Sequence, residues 1–499
     1  MSENREAIAS VRPYIVRMDM DHDACYAIIS QRDARFDGRL FTGVKTTGIY
    51  CRPVCPARTP LSKNVNFYPT AAAAQEAGFR PCLRCRPETA PDLGAWRGTS
   101  NTVSRALSLI EQGALDDGDV DHLAERLGVG ERQLRRLFKQ HLGASPVAVA
   151  QTRRVLLAKQ LIHETHLPMT EIAFASGFGS VRRFNETFQA LYHRPPSALR
   201  RSAGADAPMA DRGELEIALS YRPPYDWAAM LEYLTVRAIP GVEEVRDGAW
   251  SRVIALDGAL GTVTVRPGKG DRLAATIRFP ILTALPKIIA RLRRVFDLSA
   301  DPTAIGACLA VDETLAPLIA ARPGLRAPGA WDGFELAIRA VLGQQVTVPA
   351  AIKLAGRLSA EIGQPLNPPQ GALTHAFPTP VALAKAQIFG GMPGSRARTI
   401  SAVAQAVLDH SDILETAADL DEAIARLVAI PGVGPWTAHY IALRHLREPD
   451  AFPAADVGLM RAMADEAGLR PTAAELEARS QAWRPWRAYA AQHLWTSIT

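Results

Sequence analysis

Four cysteines constrain the front of this chain more than any other feature. Cys51 and Cys55 form a C-x3-C pair, Cys82 and Cys85 form a C-x2-C pair, and 26 residues lie between the pairs. Two close pairs at this spacing place four sulfurs around one tetrahedral Zn²⁺, each ~2.3 Å from the metal. Disulfides belong to oxidising compartments, and nothing in the sequence points to one. The start, MSENREAIAS, has no basic-then-apolar leader pattern, and no apolar run approaches the ~18 residues of a membrane helix. The expectation is a soluble cytoplasmic protein holding one zinc ion on Cys51, Cys55, Cys82 and Cys85. Cys25 and Cys308 stand apart and read as buried or incidental thiols.

With 499 residues the chain is too long for a single core, so several folding units follow. Its 47% apolar and 22% charged residues exclude a largely disordered chain. The net charge of +6 is unevenly distributed. Residues 1–90 carry 13 Lys+Arg against 9 Asp+Glu, and residues 99–202 carry 14 against 10, whereas the stretch from 203 onward has 29 against 31. A positive excess confined to the front suits a polyanion partner, although solvated basic faces are common.

Residues 99–202 read as amphipathic helices containing two similar units. The first is DVDHLAERLGVGERQLRRLFKQHLG and the second MTEIAFASGFGSVRRFNETFQALY. Each has a short helix, a glycine-containing turn and a second helix, with Leu134, Leu137 and Phe138, then Val181, Phe184 and Phe188, at helical spacing. The opposite faces present Arg132, Arg135 and Arg136, then Arg182 and Arg183, which suit contacts in a DNA major groove. A single exposed basic helix would mean little; two copies in a basic segment point to DNA binding. Linkers are expected at 87–98 and 201–211. Strand-like segments with glycine turns follow up to about residue 280, and from 281 to the end the pattern is helical throughout.

The strongest signal in the back half is LVAIPGVGPWTAHYIALR, followed by Asp456 twenty residues after Trp436. Gly432 and Gly434 lie in a tight turn between helices, where backbone N–H groups can meet a DNA phosphate. Alone, PGVG could be any turn between two helices; the downstream Asp makes it specific. Trp436 and Tyr440 are spaced i, i+4 on one helical face, a pattern that usually marks core.

Residues 205–499 resemble the AlkA-type 3-methyladenine DNA glycosylases of the helix–hairpin–helix superfamily. The matching strings are YRPPYDWAAMLEYL, ARPGLRAPGAWDGFELAIRAVLGQQV, AFPTP, PGVGPWTAHYIALR and AWRPWRAYAAQHLW. Residues 1–200 resemble the N-terminal half of the Ada adaptive-response regulator through TTGIYCRPVCPAR and GFRPCLRCRP, followed by AraC-type helix-turn-helix units.

The Ada resemblance implies that Cys51 accepts a methyl group from a DNA methylphosphotriester and that Arg58 contacts phosphate. Four thiolates on Zn²⁺ carry net −2, and methylating one removes a unit of charge that repels DNA. Repair would therefore raise DNA affinity and turn the protein into an activator. The structural alternative is a zinc ribbon without methyl transfer. The AlkA resemblance implies that Asp456 stabilises an oxocarbenium-like sugar, and that Trp436, Tyr440 and Trp495 receive a flipped, cationic base. Gln345 stands where the AlkA pattern has an intercalating leucine, a wedge with less apolar stacking. Bifunctional relatives carry a Schiff-base lysine at the position of Trp436, so monofunctional base release is implied. No cysteine follows Cys308, so no iron–sulfur cluster is expected. The only Pro-Cys is Pro81-Cys82, so an O6-alkylguanine acceptor with its Pro-Cys-His-Arg motif is absent.

The expected fold is multidomain α+β. It comprises a small four-cysteine zinc domain (1–90), an all-α double helix-turn-helix (99–202), a small antiparallel sheet subdomain with helices (211–285) and an all-α helix–hairpin–helix lobe (286–499). The expected partners are double-stranded DNA, damaged and promoter, with RNA polymerase as a further candidate. No membrane partner is expected, and the protein is expected to be a monomer. The competing functions are a regulator whose back half only binds damaged DNA, and a glycosylase whose front half only tethers it.

Overall fold

A computed structural model describes residues 21–91, 101–116, 118–200, 214–386, 392–410, 412–415, 417 and 419–498. The expected linker at 87–98 is corrected at its start, where Pro87–Thr89 is a short 3-10 turn with Pro87 and Thr89 buried, whereas positions 92–98 and 201–211 lie outside the described residues. In the front domain β1 (Phe41–Val44), β2 (Ile49–Cys51), β3 (Val65–Tyr68) and β4 (Arg80–Pro81) form a sheet of order β3-β1-β2-β4. β1 is antiparallel to β2 and β3, whereas β4 runs parallel to β2 with Tyr50 opposite Pro81. That parallel pairing brings the two cysteine pairs together. Cys51 and Cys82 each follow one residue after that Tyr50–Pro81 pair, and the Cys82 N–H donates to the Tyr50 carbonyl at 3.0 Å. The helix Ala71–Glu76 is capped by Thr70, whose hydroxyl accepts from the Ala73 N–H at 2.9 Å. The core of this domain is split into small clusters, Phe41, Tyr50, Ala74 and Phe79 in one and Cys25, Ile29 and Leu40 in another, too little to hold it unaided.

The first helix-turn-helix unit is Val120–Arg126 and Glu131–Leu142, and the second is Met169–Ala175 and Val181–Tyr192, joined by the long helix Pro146–Glu164. Leu134, Phe138, Phe184 and Phe188 are fully buried, as their spacing requires, while Leu137 and Val181 pack at the edges. The second unit shares one apolar core with the sheet that follows. That sheet contains β5 (Glu214–Ser220), β6 (Glu243–Arg246), β7 (Ala249–Leu256), β8 (Ala259–Pro267) and β9 (Arg272–Arg278). Its order is β5-β9-β8-β7-β6, antiparallel throughout.

Polar contacts reinforce the junction of the two halves. Arg222 donates to the Arg35 carbonyl at 2.6 Å and to the Asp37 carbonyl, and Arg39 pairs with Asp301. Within the front half Lys159, fully enclosed, ties the helix-turn-helix region to the cysteine domain through the Cys82 carbonyl and the Glu88 carboxylate, both at 2.8 Å. Arg126 pairs with Glu415 at 2.9 Å.

The back lobe is built around the almost wholly buried helix Gly333–Leu342, flanked by Val348–Ile362, Gly394–Asp409 and Pro435–Ile441. The last of these runs on as a π-helical turn, Ala442–Leu446. The expectation of helix throughout this region is corrected at one place. β10 (Pro365–Gln370) and β11 (Leu373–His375) form a hairpin against β7. Pro365, Pro368 and Pro369 lack the N–H groups a helix needs, and Gly371 at φ +60° reverses the chain. No described helix is long and apolar enough to cross a membrane.

Candidate active site and metal centre

The structure brings Cys51, Cys55, Cys82 and Cys85 together, their sulfurs all within 4.8 Å of one another. A tetrahedral Zn²⁺ with ~2.3 Å bonds needs sulfurs about 3.8 Å apart, so the donor set fits. None of the six cysteines is in a disulfide. Backbone N–H groups of Arg52 and Arg84 donate to the Cys85 and Cys82 sulfurs at 3.4 and 3.3 Å, which favours thiolate. Contact with Cys51, Cys55 and Cys85 pulls the Cys82 thiol far down, while contact with Cys55, Cys82 and Cys85 pushes Cys51 up. Four sulfurs this close repel one another as thiolates, and a shared dication offsets that repulsion. Arg52, missed in the sequence reading, braces the centre. Its guanidinium pairs with the Asp37 carboxylate and donates to the Cys85 carbonyl at 3.2 Å and the Thr89 hydroxyl at 2.5 Å. Arg58 is exposed nearby in sequence. Cys25 is buried and Cys308 half-buried, and burial pushes both thiols up, as suits inert side chains.

In the back half Asp456, Trp436, Tyr440 and Trp495 converge. The two Asp456 oxygens are divided between two indoles: Trp495 Nε1 donates to Oδ1 at 2.8 Å, and Trp436 Nε1 donates to Oδ2 at 2.8 Å. Oδ1 also caps the helix Val457–Ala462 through the Leu459 N–H at 3.0 Å. The carboxylate is therefore fixed in orientation, with both oxygens engaged as acceptors. Trp436 stacks on Tyr440 at 5.5 Å and 12°, and Tyr440 meets Trp495 edge-on at 6.5 Å.

Two further groups complete this wall. Tyr233, from the helix Trp227–Thr235, places its hydroxyl 3.4 Å from that of Tyr440. Arg444 lies over the rings of Tyr233, Tyr440 and Trp495. Burial acts against ionisation of Tyr233, but the Arg444 and Arg237 guanidiniums outweigh it and hold this phenol below its ordinary value. Burial pushes Tyr440 up to about 12. The signal for Arg444 was present in the sequence, four residues beyond Tyr440 on the same helical face. Tyr233 carried none, because it is brought in from another subdomain.

Gln345 is exposed and in the left-handed region at φ +57°. Its neighbour Gln344 donates to the Gly432 carbonyl and the Thr437 hydroxyl, each at 3.1 Å, and accepts from Arg396 at 2.6 Å. Gln344 thus ties the Gln345 loop to the glycine turn. Gly432 has φ +87°, and a Cβ there would strike the Thr399 side chain. At Gly434, which opens the helix Pro435–Ile441, a Cβ would meet nothing, so the backbone faces open space.

Arg132, Arg135, Arg136, Arg182 and Arg183 are all exposed on the second helices of their units. Arg135 and Arg182 pair with Glu131 and Glu186 on their own helices, pairs that exposed surfaces surrender readily to a phosphate.

Four family profiles match in succession along the chain. They are the metal binding domain of Ada (24–88), a helix-turn-helix domain (123–202), the AlkA N-terminal domain (216–332) and the HhH-GPD superfamily of base excision DNA repair proteins (338–488). A "probable bifunctional transcriptional activator/DNA repair enzyme AlkA" from Mycobacterium tuberculosis is 44% identical over 96% of this chain and 97% of its own length. The chain belongs to this bifunctional AlkA family. It combines Ada zinc-binding, helix-turn-helix and glycosylase domains, as in a DNA-repair and transcription-regulating protein. The DNA-3-methyladenine glycosylase 2 of Escherichia coli is 35% identical over 56% of the chain and 95% of that protein. A 3-methyladenine DNA glycosylase structure from Archaeoglobus fulgidus shares the fold of the back half, with a TM-score of 0.50 and 22% identity over 56% of this chain and 97% of its own.

Proposed function

We propose that this AlkA family member is a monofunctional DNA glycosylase that hydrolyses the N-glycosidic bond of alkylated bases such as 3-methyladenine. The observation that carries this reading is the Asp456 carboxylate, oriented by two indole N–H groups beside a stacked aromatic wall. A flipped cationic base lies against the faces of Trp436 and Tyr440, and Asp456 stabilises the electron-poor sugar as the bond breaks. Gly432 and Gly434 take the DNA backbone, and Gln345 fills the space the base leaves. No lysine stands at position 436 to cut the strand, so the product is an abasic site.

In the front half, Cys51, Cys55, Cys82 and Cys85 hold one zinc ion, which keeps the thiols deprotonated when bound. The Cys51 sulfur attacks the methyl carbon of a methylphosphotriester. An S–C bond forms, the O–CH3 bond breaks, and a phosphodiester anion leaves. The methylated front half then binds promoter DNA through Arg58 and the arginines of the two recognition helices, and RNA polymerase is recruited there. The protein acts as a cytoplasmic monomer without an iron–sulfur cluster.

The test is release of free alkylated base from methylated duplex DNA by the native protein and by Asp456→Asn. Release without strand nicking, lost in the variant while DNA binding persists, is expected. No release by folded, DNA-bound native protein would leave a regulator that only reads damage. Mass analysis after exposure to methylated DNA is expected to show one methyl group on Cys51.

A further inference from the structure

Arg444 is 2% exposed, and its hydrogen bonds go to neutral acceptors, the Pro328 carbonyl and the Gln492 side-chain oxygen, each at 2.9 Å. Among the described residues no carboxylate pairs with it. Its guanidinium carbon lies 4.8 Å from the centre of the Tyr233 ring, 5.1 Å from Trp495 and 5.7 Å from Tyr440. Those rings are half-buried whereas Arg444 is enclosed, so the charge sits on their inner side. A buried cation without a counter-charge is costly, and an apolar residue would support three rings more cheaply. The position is also adverse for simply holding a cationic base, because like charges repel strongly where water is excluded.

The reaction resolves the conflict. When the C1′–N bond breaks, its electron pair goes to the base nitrogen and C1′ becomes electron-poor. Water oxygen then bonds to C1′, and the water's proton passes to Asp456 or to solvent. A cationic base leaves neutral; a neutral base leaves as an anion and takes a proton from water afterwards. In both cases positive charge moves from the base to the sugar, toward Asp456 and away from Arg444.

We propose that Arg444 is a specificity-determining residue that stabilises negative charge developing on the departing base, and so sets the relative rates at which neutral and cationic bases are released. This rests on the glycosylase reading given above. The fixed pair of a carboxylate at the sugar and a guanidinium behind the base is aligned with the charge shift of the transition state rather than with the ground state. Neutral bases are the poorer leaving groups and gain most from it.

The experiment is single-turnover base release by the full chain from duplexes bearing cationic 7-methylguanine or neutral hypoxanthine, with native protein, Arg444→Gln and Arg444→Lys. Arg444→Gln is expected to slow release of the neutral base about a hundredfold and of the cationic base less than about tenfold. Arg444→Lys is expected to keep the native ratio. An equal fall for both bases in Arg444→Gln would mean that Arg444 only holds the rings in place, and would overturn the proposal. A second measurement needs no variant: release by the native protein of neutral purines of graded acidity. A rate less sensitive to leaving-group acidity than in water is expected, and equal sensitivity overturns the proposal. Release of neither base by the native protein would overturn the glycosylase reading itself, whereas cationic release with unaltered selectivity in Arg444→Gln overturns this inference alone.

Discussion

The two chemical centres of this protein are held in opposite ways. The four cysteines sit at strand ends and in loops of a domain whose apolar core is split into small clusters, one of Phe41, Tyr50, Ala74 and Phe79 and another of Cys25, Ile29 and Leu40. Asp456 and its aromatic neighbours project from the largest core of the molecule, around the buried helix Gly333–Leu342. The first centre must be completed by a cation to be stable; the second is preorganised by packing. Difference in support follows difference in task. On the function proposed above, a sulfur that reacts once can be part of the staple of its own domain, whereas a carboxylate that serves turnover after turnover needs a frame that survives each one.

Metal removal breaks that comparison most forcefully. Chelation, or Cys82→Ser, is expected to unfold residues 21–91, since cation binding to such a site supplies on the order of 10 kcal/mol. Base release from damaged duplex is expected to stay within about twofold of native, because none of the Asp456 contacts comes from the front half. Calorimetry and base release on the same chelated sample check this. Loss of both together would mean that the halves fold as one unit.

A smaller effect is expected at the seam between them. Asp37 is 6% exposed, its carboxylate pairs with Arg52 beside the thiols, and its carbonyl accepts from Arg222 of the glycosylase half. Asp37→Ala leaves the half-buried Arg52 charge without its carboxylate partner, a loss of about 2–3 kcal/mol. The expected signs are a lower unfolding temperature and faster zinc loss to a chelator, with base release unchanged. Unaltered zinc retention would separate Arg52 from the metal centre.

Trp436→Phe sharpens the other side. Phenylalanine keeps the stack on Tyr440 but removes the N–H donated to Asp456. Base release is expected to fall about tenfold, the scale of one lost orienting hydrogen bond near about 1.4 kcal/mol, while DNA affinity is retained. Equal loss in affinity would make Trp436 a stacking platform only.

The legibility of these features in the sequence followed the range of the interactions that make them. The cysteine pairs, the buried faces of the recognition helices and the Trp436–Tyr440 face are local patterns, and the structure places them as their spacing requires. The hairpin at 365–375 was lost inside a helical stretch, although three prolines and Gly371 marked it. Tyr233, Gln344 and Arg52 were invisible for another reason. Each acts through a partner far away in the chain, Tyr440, Gly432 and Asp37 respectively, and no periodicity records such pairs. The shared core of the second helix-turn-helix unit and the antiparallel sheet escaped on the same ground.

The mildest expectation concerns pH at the junction of the halves. Burial, opposed by Arg105 and assisted by Asp450 and Asp419, raises the Glu448 carboxyl to about 7. A carboxyl with a raised value in the folded state binds its proton more tightly there than in the unfolded chain. Its favourable effect is fully present below the ordinary carboxyl value near 4.5 and is lost as pH rises through 7. Glu448→Gln keeps the shape without the ionisation. It is expected to unfold about 2–4 °C above native protein at pH 8, and by a smaller margin at pH 5. The acid limb is left unchanged, because it follows a different group. Burial lowers His493 to about 4, so its contribution is present above its ordinary value of 6.5 and lost as pH falls through 4. Thermal unfolding of both proteins across this range separates the two groups. A stabilisation by Glu448→Gln that is equal at pH 5 and 8 would show that the side chain's packing, and not its charge, governs the seam where the regulatory and repair halves meet.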